Sequence, residues 1–288
     1  MDKYVVCYGE VLWDNLPEGR RIGGAPLNVS YHLNMNGMKS QMISQVGKDL
    51  DGEELLNGIN RLGVDSTYIE IAQDTATSTV EVHLEKDGKV SYEIVAPVAW
   101  DYIEYDERIA QVVSKASAFV FGSLAARNEK SRDTLLKYLK VATWTIFDVN
   151  LRKPFYQQSL IKLLIEHSKT LKLNDEELEL LLEWNSIDTS EETNKLKALL
   201  DKFDTLEEIL LTKGAEGAVY YSRSECIEVP GISVSVKDTV GSGDSFLGAF
   251  IAMKLNGAST EEAISHAVKI SAFVATQTGA CPVYSKIF

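Results

Sequence analysis

Two aspartates bracket a glycine turn in Asp238-Thr239-Val240-Gly241-Ser242-Gly243-Asp244, and Phe246, Leu247, Phe250, Ile251 and Leu255 then recur on one helical face. The glycines therefore stand where a loop runs into a helix. Backbone N–H groups at such a junction lack intrahelical partners, and the helix dipole favours negative charge there. Gly241, Ser242 and Gly243 could hold a phosphate or a developing oxyanion, with glycine letting the backbone approach without a side chain in the way. Asp244, beside that site, is placed to serve as a general base. The chemistry this predicts is phosphoryl transfer onto a hydroxyl. The same residues also fit a plain glycine-rich turn with Asp244 as a helix N-cap, so the rest of the chain has to decide.

A second loop-to-helix junction lies at Gly23-Gly24-Ala25-Pro26. It opens a predicted helix over about 26–36, with proline near its start and Gly37 past its end. Asn28 falls in the first turn, where it could hydrogen-bond a polar ligand admitted by the paired glycines, although a tight turn alone would also use them. Asn174 and Glu177 read as a capping box at the head of a helix running to Trp184, and equally as polar groups facing a ligand. His32, His83, His167 and His266 show no metal-ligand spacing, and each reads as a core or surface residue. No G-x-x-x-x-G-K-[ST], no G-x-S-x-G and no early dinucleotide fingerprint occurs.

The elements that must position these residues alternate. Strands are predicted at 4–9 (continued by 10–14), 41–46, 118–122, 144–149, 170–173, 206–211, 218–221 and 226–229. Helices are predicted at 50–62, 131–142, 160–166 and 261–276, besides those already given. Such alternation gives an α/β fold with a mostly parallel central sheet and helices on both faces. Ligands in such folds sit beyond the carboxyl ends of the strands. Asp14, Gly23-Gly24, Asp148-Asn150-Arg152, Asn174-Glu177, Thr212-Gly214 and Asp238-Asp244 all follow a predicted strand. Two β-branched, alternating runs at 77–84 and 90–95 flank the turn Lys86-Asp87-Gly88-Lys89 and predict a hairpin outside the main sheet. With residues near 10–22 it would make a small β lid, about 10–22 and 76–100, on a single domain spanning 1–288. Trp100 follows the hairpin as a core or pocket-lining aromatic.

Composition bounds the function. The chain has 288 residues, 45% hydrophobic and 25% charged, with a formal net charge of -13. That balance argues against sequence-independent binding to nucleic acid or anionic membranes, which asks for a basic surface. The N-terminal residues show no basic region followed by a long apolar run, and no stretch is long enough for a membrane span. Cys7, Cys226 and Cys281 are widely spaced and odd in number, which suggests reduced thiols and a cytoplasmic location.

The two glycine signatures, Gly23-Gly24-Ala25-Pro26-Leu27-Asn28 and Asp238-Thr239-Val240-Gly241-Ser242-Gly243-Asp244, bracket Asn174-x-x-Glu177 and Thr212-Lys213-Gly214-x-x-Gly217. In that order the chain resembles the ribokinase-like (PfkB) carbohydrate kinases over essentially its whole length. Gly9-Glu10-Val11-Leu12-Trp13-Asp14, Gly122-Ser123-Leu124 and Asp148-Val149-Asn150-Leu151-Arg152 lean toward the bacterial fructokinases among them. The resemblance implies an ATP-dependent kinase with Mg2+, phosphorylating a sugar hydroxyl, with fructose the favoured acceptor. Ribose, another ketose or 2-keto-3-deoxygluconate would be alternatives, as would a non-catalytic sugar-binding protein on the same fold. It implies Asp244 as catalytic base and the Gly241, Ser242 and Gly243 amides as the phosphoryl site. Asp14, Gly23, Gly24 and Asn28 would hold the sugar, with Trp100 and Arg152 near it. Asn174, Thr212, Gly214 and Gly217 would border the nucleotide, Glu177 would hold Mg2+ through water, and Asp238 resembles the region where ribokinases bind K+. Lids in this family pair between subunits, so a homodimer through the β lid is expected.

Overall fold

The computed structural model describes residues 3–16, 19–84 and 90–284. In chain order it contains β1 (Tyr4–Tyr8), β2 (Leu12–Leu16), β3 (Gly19–Gly23), α1 (Ala25–Met35), β4 (Lys39–Gly47), α2 (Leu50–Arg61), β5 (Asp65–Ala72), β6 (Thr79–Leu84), β7 (Val90–Ile94), α3 (Glu107–Lys115) and β8 (Ala118–Gly122). There follow α4 (Glu129–Leu139), β9 (Thr145–Asp148), α5 (Gln158–Ile165), β10 (Thr170–Asn174), α6 (Asp175–Trp184), α7 (Glu192–Lys202), β11 (Glu208–Thr212), β12 (Gly217–Ser222), β13 (Cys226–Pro230), α8 (Ser242–Leu255) and α9 (Thr260–Ala275). The predicted turn at 86–89 and part of that at 15–19 lie outside the described residues.

The main sheet runs β13-β12-β11-β10-β9-β8-β1-β4-β5, and only its β11/β12 and β12/β13 pairs are antiparallel. Strand parity sorts the core into two layers. Val6 and Tyr8 of β1, Phe119 and Phe121 of β8, and Leu171 and Leu173 of β10 pack on one side with α3 to α7. Val5, Cys7, Ala118 and Val120 pack on the other with α1, α2, α8 and α9. A sheet buried on both faces explains why its strands read as nearly continuous apolar runs. The order reverses at β1, flanked by β4 and β8, so the ligand crevice of such a fold belongs above the carboxyl end of β1.

A second sheet, β3-β2-β6-β7, stands apart from the first. It starts where the chain leaves β1 at Gly9, whose φ of 142° breaks the strand. The predicted continuation of the first strand through residues 10–14 is therefore corrected: Asp14 lies inside β2, opposite Arg21 of β3. Three further elements escape the sequence reading: β5, α3 and α7. Among the described residues, no helix is long and apolar enough to cross a membrane.

Candidate active site

The core itself sets the first pair of charges. Leu171 and Leu173 face the α3–α7 layer, so parity turns Lys172 toward α8. Register then sets Lys172 directly beside Asp148 on β9, and Lys172 Nζ donates to both carboxylate oxygens at 2.9 and 3.1 Å. The pair is buried, at 8% and 5% side-chain exposure. Burial alone would lower the pKa of Lys172, but Asp148, Asp244 and Glu177 more than offset it and hold the ammonium above its ordinary value.

The start of α8 comes down on this cation. Gly241 is its N-cap, in the left-handed region at φ 78°, and no side chain caps the helix. A Cβ on Gly241 would lie 2.6 Å from Ala280 Cβ, and one on Gly243 would lie 2.9 Å from Lys172 Nζ. Glycine is thus what lets the turn fit between the 279–280 loop and the buried lysine. The Ser242 N–H donates to Thr239 O at 3.2 Å, which removes it from the expected set of three amides. Its hydroxyl, by contrast, is buried without a hydrogen-bond partner. The N–H groups of Gly243 and Asp244 have no backbone acceptor among the described residues. Two helix-end amides and, beside Gly243, the Lys172 ammonium make a donor set that fits a phosphate, with the orphan Ser242 hydroxyl in the same turn.

Asp244 is the third residue of α8 rather than its N-cap, which disposes of the plain capping alternative. Its placement rests on a close helix contact. A Cβ at Gly248 would fall 2.8 Å from His32 Cβ, so α1 and α8 touch there, and one turn earlier on each helix Asn28 faces Asp244. Asn28 Nδ2 donates to Asp244 Oδ2 at 2.8 Å. Burial and the charge of Asp148 push the Asp244 carboxyl up to about 6, against Lys172, Asn28 and Arg152, which pull it down. The buried His32, dismissed from sequence as a core histidine, braces this corner through Ala280 O at 2.8 Å and Tyr284 OH at 2.6 Å.

On the other side of Asp244 the first and second sheets meet. Asp14 Oδ2 would be struck by a Cβ at Gly23 at 2.3 Å, and Glu10 O by one at Gly24 at 2.3 Å. The paired glycines thus make room for a carboxylate and for a close backbone crossing. Burial raises Asp14 to about 6, with Arg152 and Arg21 opposing. Glu10 was not singled out from sequence. It is 3% exposed, its Oε1 accepts from Ala25 N at 3.3 Å, and its Oε2 has no partner. Burial pushes it up to about 7, while Arg152 pulls it down and Asp244 pushes it further up. The exposed Arg152 is thus the cation common to Glu10, Asp14 and Asp244.

Asn174 and Thr212 lie side by side at the ends of β10 and β11. The capping box is formed: Asn174 Oδ1 accepts from Glu177 N at 2.9 Å, and Glu177 Oε2 from Asn174 N at 3.0 Å. Glu177 Oε1 also accepts from Leu151 N at 2.8 Å, so the carboxylate ties α6 to the loop carrying Arg152. Among the described residues no cluster of His, Cys, Asp and Glu could hold a metal alone. Mg2+ characteristically takes one or two carboxylates and completes its shell with phosphate oxygens and water, and this donor set fits that arrangement rather than a protein cage.

Three expected contacts change character. Trp100 is fully buried with its ring against the Arg127 guanidinium, 4.0 Å away, so it is a core residue and does not line the sugar site. Gly217 is glycine because a Cβ would sit 2.1 Å from Val229 O; the β12–β13 pairing requires it, while the exposed Gly214 opens the loop. Asp238 accepts from Val240 N and Gly279 N, both at 3.0 Å, and faces Arg21 at 3.7 Å. That carboxylate ties the loop before α8 to the 279–280 loop, beside the Arg21 guanidinium.

The pfkB family carbohydrate kinase pattern matches residues 4–286. Fructokinase of Solanum tuberosum is 28% identical over 302 residues, covering 96% of this chain and 91% of that one. The crystal structure of fructokinase with bound ATP from Xylella fastidiosa superposes with a TM-score of 0.85 at 22% identity, covering 98% of this chain and 94% of that one. The sugar kinase PH1459 from Pyrococcus horikoshii in complex with ATP gives 0.81 at 25% identity, covering 96% and 94%. The fold is the ribokinase-like α/β fold, and the chain belongs to the pfkB family of carbohydrate kinases.

Proposed function

We propose that this sugar kinase transfers the γ-phosphoryl group of ATP to D-fructose, giving fructose 6-phosphate. The observation that carries the reading is the position of Asp244. It lies one residue past the Gly243 amide and within hydrogen-bond reach of Asn28, so one carboxylate joins the anion site to the sugar side. The leaning to fructose rests on the fructokinases among the similar proteins and on the Asp14-Gly23-Gly24-Asn28 surround.

Asp14 and Asn28 hold sugar hydroxyls, and Arg152 draws the neighbouring carboxylates toward their charged forms against the effect of burial. The acceptor hydroxyl oxygen forms its bond to the γ-phosphorus as the bond to the β–γ bridging oxygen breaks, and the hydroxyl proton passes to Asp244. A carboxylate tuned to about 6 is ionised at neutral pH and still basic enough for this task. The Gly243 and Asp244 amides, Ser242 Oγ and Lys172 Nζ face the oxygens of the transferring group, where fixed donors count most. Bound Mg2+ would supply charge neutralisation between the phosphates, with Asn174 and Glu177 on its water shell and Thr212 and Gly214 along the nucleotide. The β3-β2-β6-β7 sheet acts as a lid that excludes water, and its open edges at β3 and β7 pair two copies into a dimer in the cytoplasm.

A coupled ADP-release assay over a panel of hexoses and pentoses, with and without Mg2+ and K+, tests this reading. Fructose should give the highest kcat/KM. Asp244→Asn should cut turnover about 10²- to 10⁴-fold while leaving sugar binding intact. Absence of sugar-dependent ADP release with every sugar, or wild-type turnover in Asp244→Asn, would overturn it.

A further inference from the structure

A second cleft lies between the starts of α4 and α5, on the α3–α7 side of the main sheet. It has a volume of about 790 Å³, within the range of small-molecule sites. None of the crevice residues described above lines it. Asn128, the N-cap of α4, and Gln157, the N-cap of α5, both border it, so two helix starts open into the same space. The α5 start has no side-chain cap, which leaves its first-turn amides without an intrahelical acceptor.

Two arginines share this wall. Arg132 of α4 has no ion-pair partner among the described residues. Arg127 is more constrained. Its side chain is 5% exposed, held between the Trp100 and Phe155 rings at 4.0 and 4.4 Å. Nε and Nη2 donate to Asp101 at 2.7 Å each, and Nη2 also to Val95 O at 2.9 Å. Nη1 is buried and makes no hydrogen bond. An arginine locked in place with one donor unanswered is costly unless something accepts from it. Among the described residues, Asp101 is the only acidic one on the wall, and it is already matched by Arg127. The cleft therefore keeps one net positive charge on a chain of net charge -13.

We propose that this cleft is a binding site for a small phosphorylated metabolite, its phosphate held by Arg132, Arg127 Nη1 and the uncapped start of α5. A tetrahedral dianion suits these donors because arginine and helix-end N–H groups both bind phosphate oxygens by charge-assisted hydrogen bonds. Inorganic phosphate and a phosphate ester share that head; the volume leaves room for the organic part of an ester. The wall includes Ala96 and Pro97, just past β7 of the small sheet, and Phe155, three residues beyond Arg152. An occupant would thus touch both segments that flank the sugar side of the crevice. The site stands apart from the proposed kinase reaction, and either can fail without the other.

Calorimetric titration of the full chain with inorganic phosphate, and separately with glycerol 3-phosphate, tests it. Saturable binding is expected, weakened about tenfold or more by Arg132→Gln, since a charge-assisted contact is lost. Ser159→Glu, which brings a carboxylate to the α5 start, should do the same. Neither change removes a buried contact, so both variants should keep the wild-type melting temperature. Gly243→Val, which blocks the α8 anion site, should leave this binding unchanged. Tighter binding of the ester assigns an organic phosphate as occupant, and binding of phosphate alone assigns the free anion; both support the site. No saturable binding of either probe overturns it, as does binding that Gly243→Val abolishes and Arg132→Gln leaves intact.

Discussion

The two ends of the crevice are held in different ways. At the α8 end every charged group has a partner supplied by the fold. Register sets Lys172 on Asp148, a helix contact sets Asn28 on Asp244, and two backbone amides fix Glu177. At the sugar end Glu10 Oε2 has no partner, and the Arg152 guanidinium reaches only the neighbouring Leu151 O, at 3.3 Å, among its hydrogen bonds in the described residues. The donors at the chemical end are thus preorganised by the core, the arrangement that stabilises a transition state without reorganisation. The recognition end leaves polar groups for a ligand to satisfy, which is how a site rejects compounds lacking the matching hydroxyl.

Lys172→Met is the strongest way to break this contrast. Removing the ammonium should lower turnover about 10²- to 10³-fold, as loss of a fixed donor at the reacting group does. It should also destabilise the fold by about 3–5 kcal/mol, because Asp148 is left charged and buried. The double variant Lys172→Met/Asp148→Asn should regain most of that stability and none of the turnover, as read by denaturant titration and ADP release. If turnover recovers along with stability, Lys172 is only a structural partner and the chemical end owes nothing to it.

What the sequence makes legible follows the same divide. The glycine turn before α8 and the pair before α1 could be read because each needs glycine at a fixed offset from a periodic apolar run, and the hairpin because strands of period two flank an Asp-Gly turn. Lys172 could not. A lysine between Leu171 and Leu173 signals a buried charge, but its meaning depends on the register with Asp148, a long-range fact. Glu10 was hidden because Tyr4 to Asp14 looks like one strand until Gly9 turns the chain into the second sheet. β5 has mostly exposed or half-buried residues, so it lacks the apolar run of a central strand. In α3 and α7, three buried residues each sit among charges that mask the period. Trp100 shows the converse limit: an aromatic after a predicted lid looks like a pocket wall until Arg127 is seen against it.

Asp14→Asn sharpens the recognition side. The carboxylate should accept from sugar hydroxyls, and hydrogen bonds to charged groups contribute about 1.5–3 kcal/mol. KM for the sugar should therefore rise about tenfold to a hundredfold, with a smaller change in kcat and none in KM for ATP. An equal fall in kcat with KM for the sugar unchanged would move Asp14 into the chemical machinery and erase the distinction between the two ends.

The smallest expected effect concerns stability. Asp244 is raised from 3.8 to about 6, chiefly by burial and the charge of Asp148. A carboxyl raised on folding stabilises the fold relative to its ionised form below the unfolded pKa, and that contribution is lost as pH rises through the folded pKa. At pH 8 the wild-type protein therefore carries an unfavourable charge that Asp244→Asn removes, and the Asn oxygen still accepts from Asn28. The variant should be more stable than wild type at pH 8 by about 1–3 kcal/mol, after allowing for the partial exposure of the carboxylate. The gain should shrink toward zero near pH 3, where Asp244 is protonated in the folded wild type and largely so in the unfolded chain. Denaturant midpoints at the two pH values measure it. A gain that is the same at both would mean that the substitution acts through packing, and that the chemical end carries no strain from its buried base.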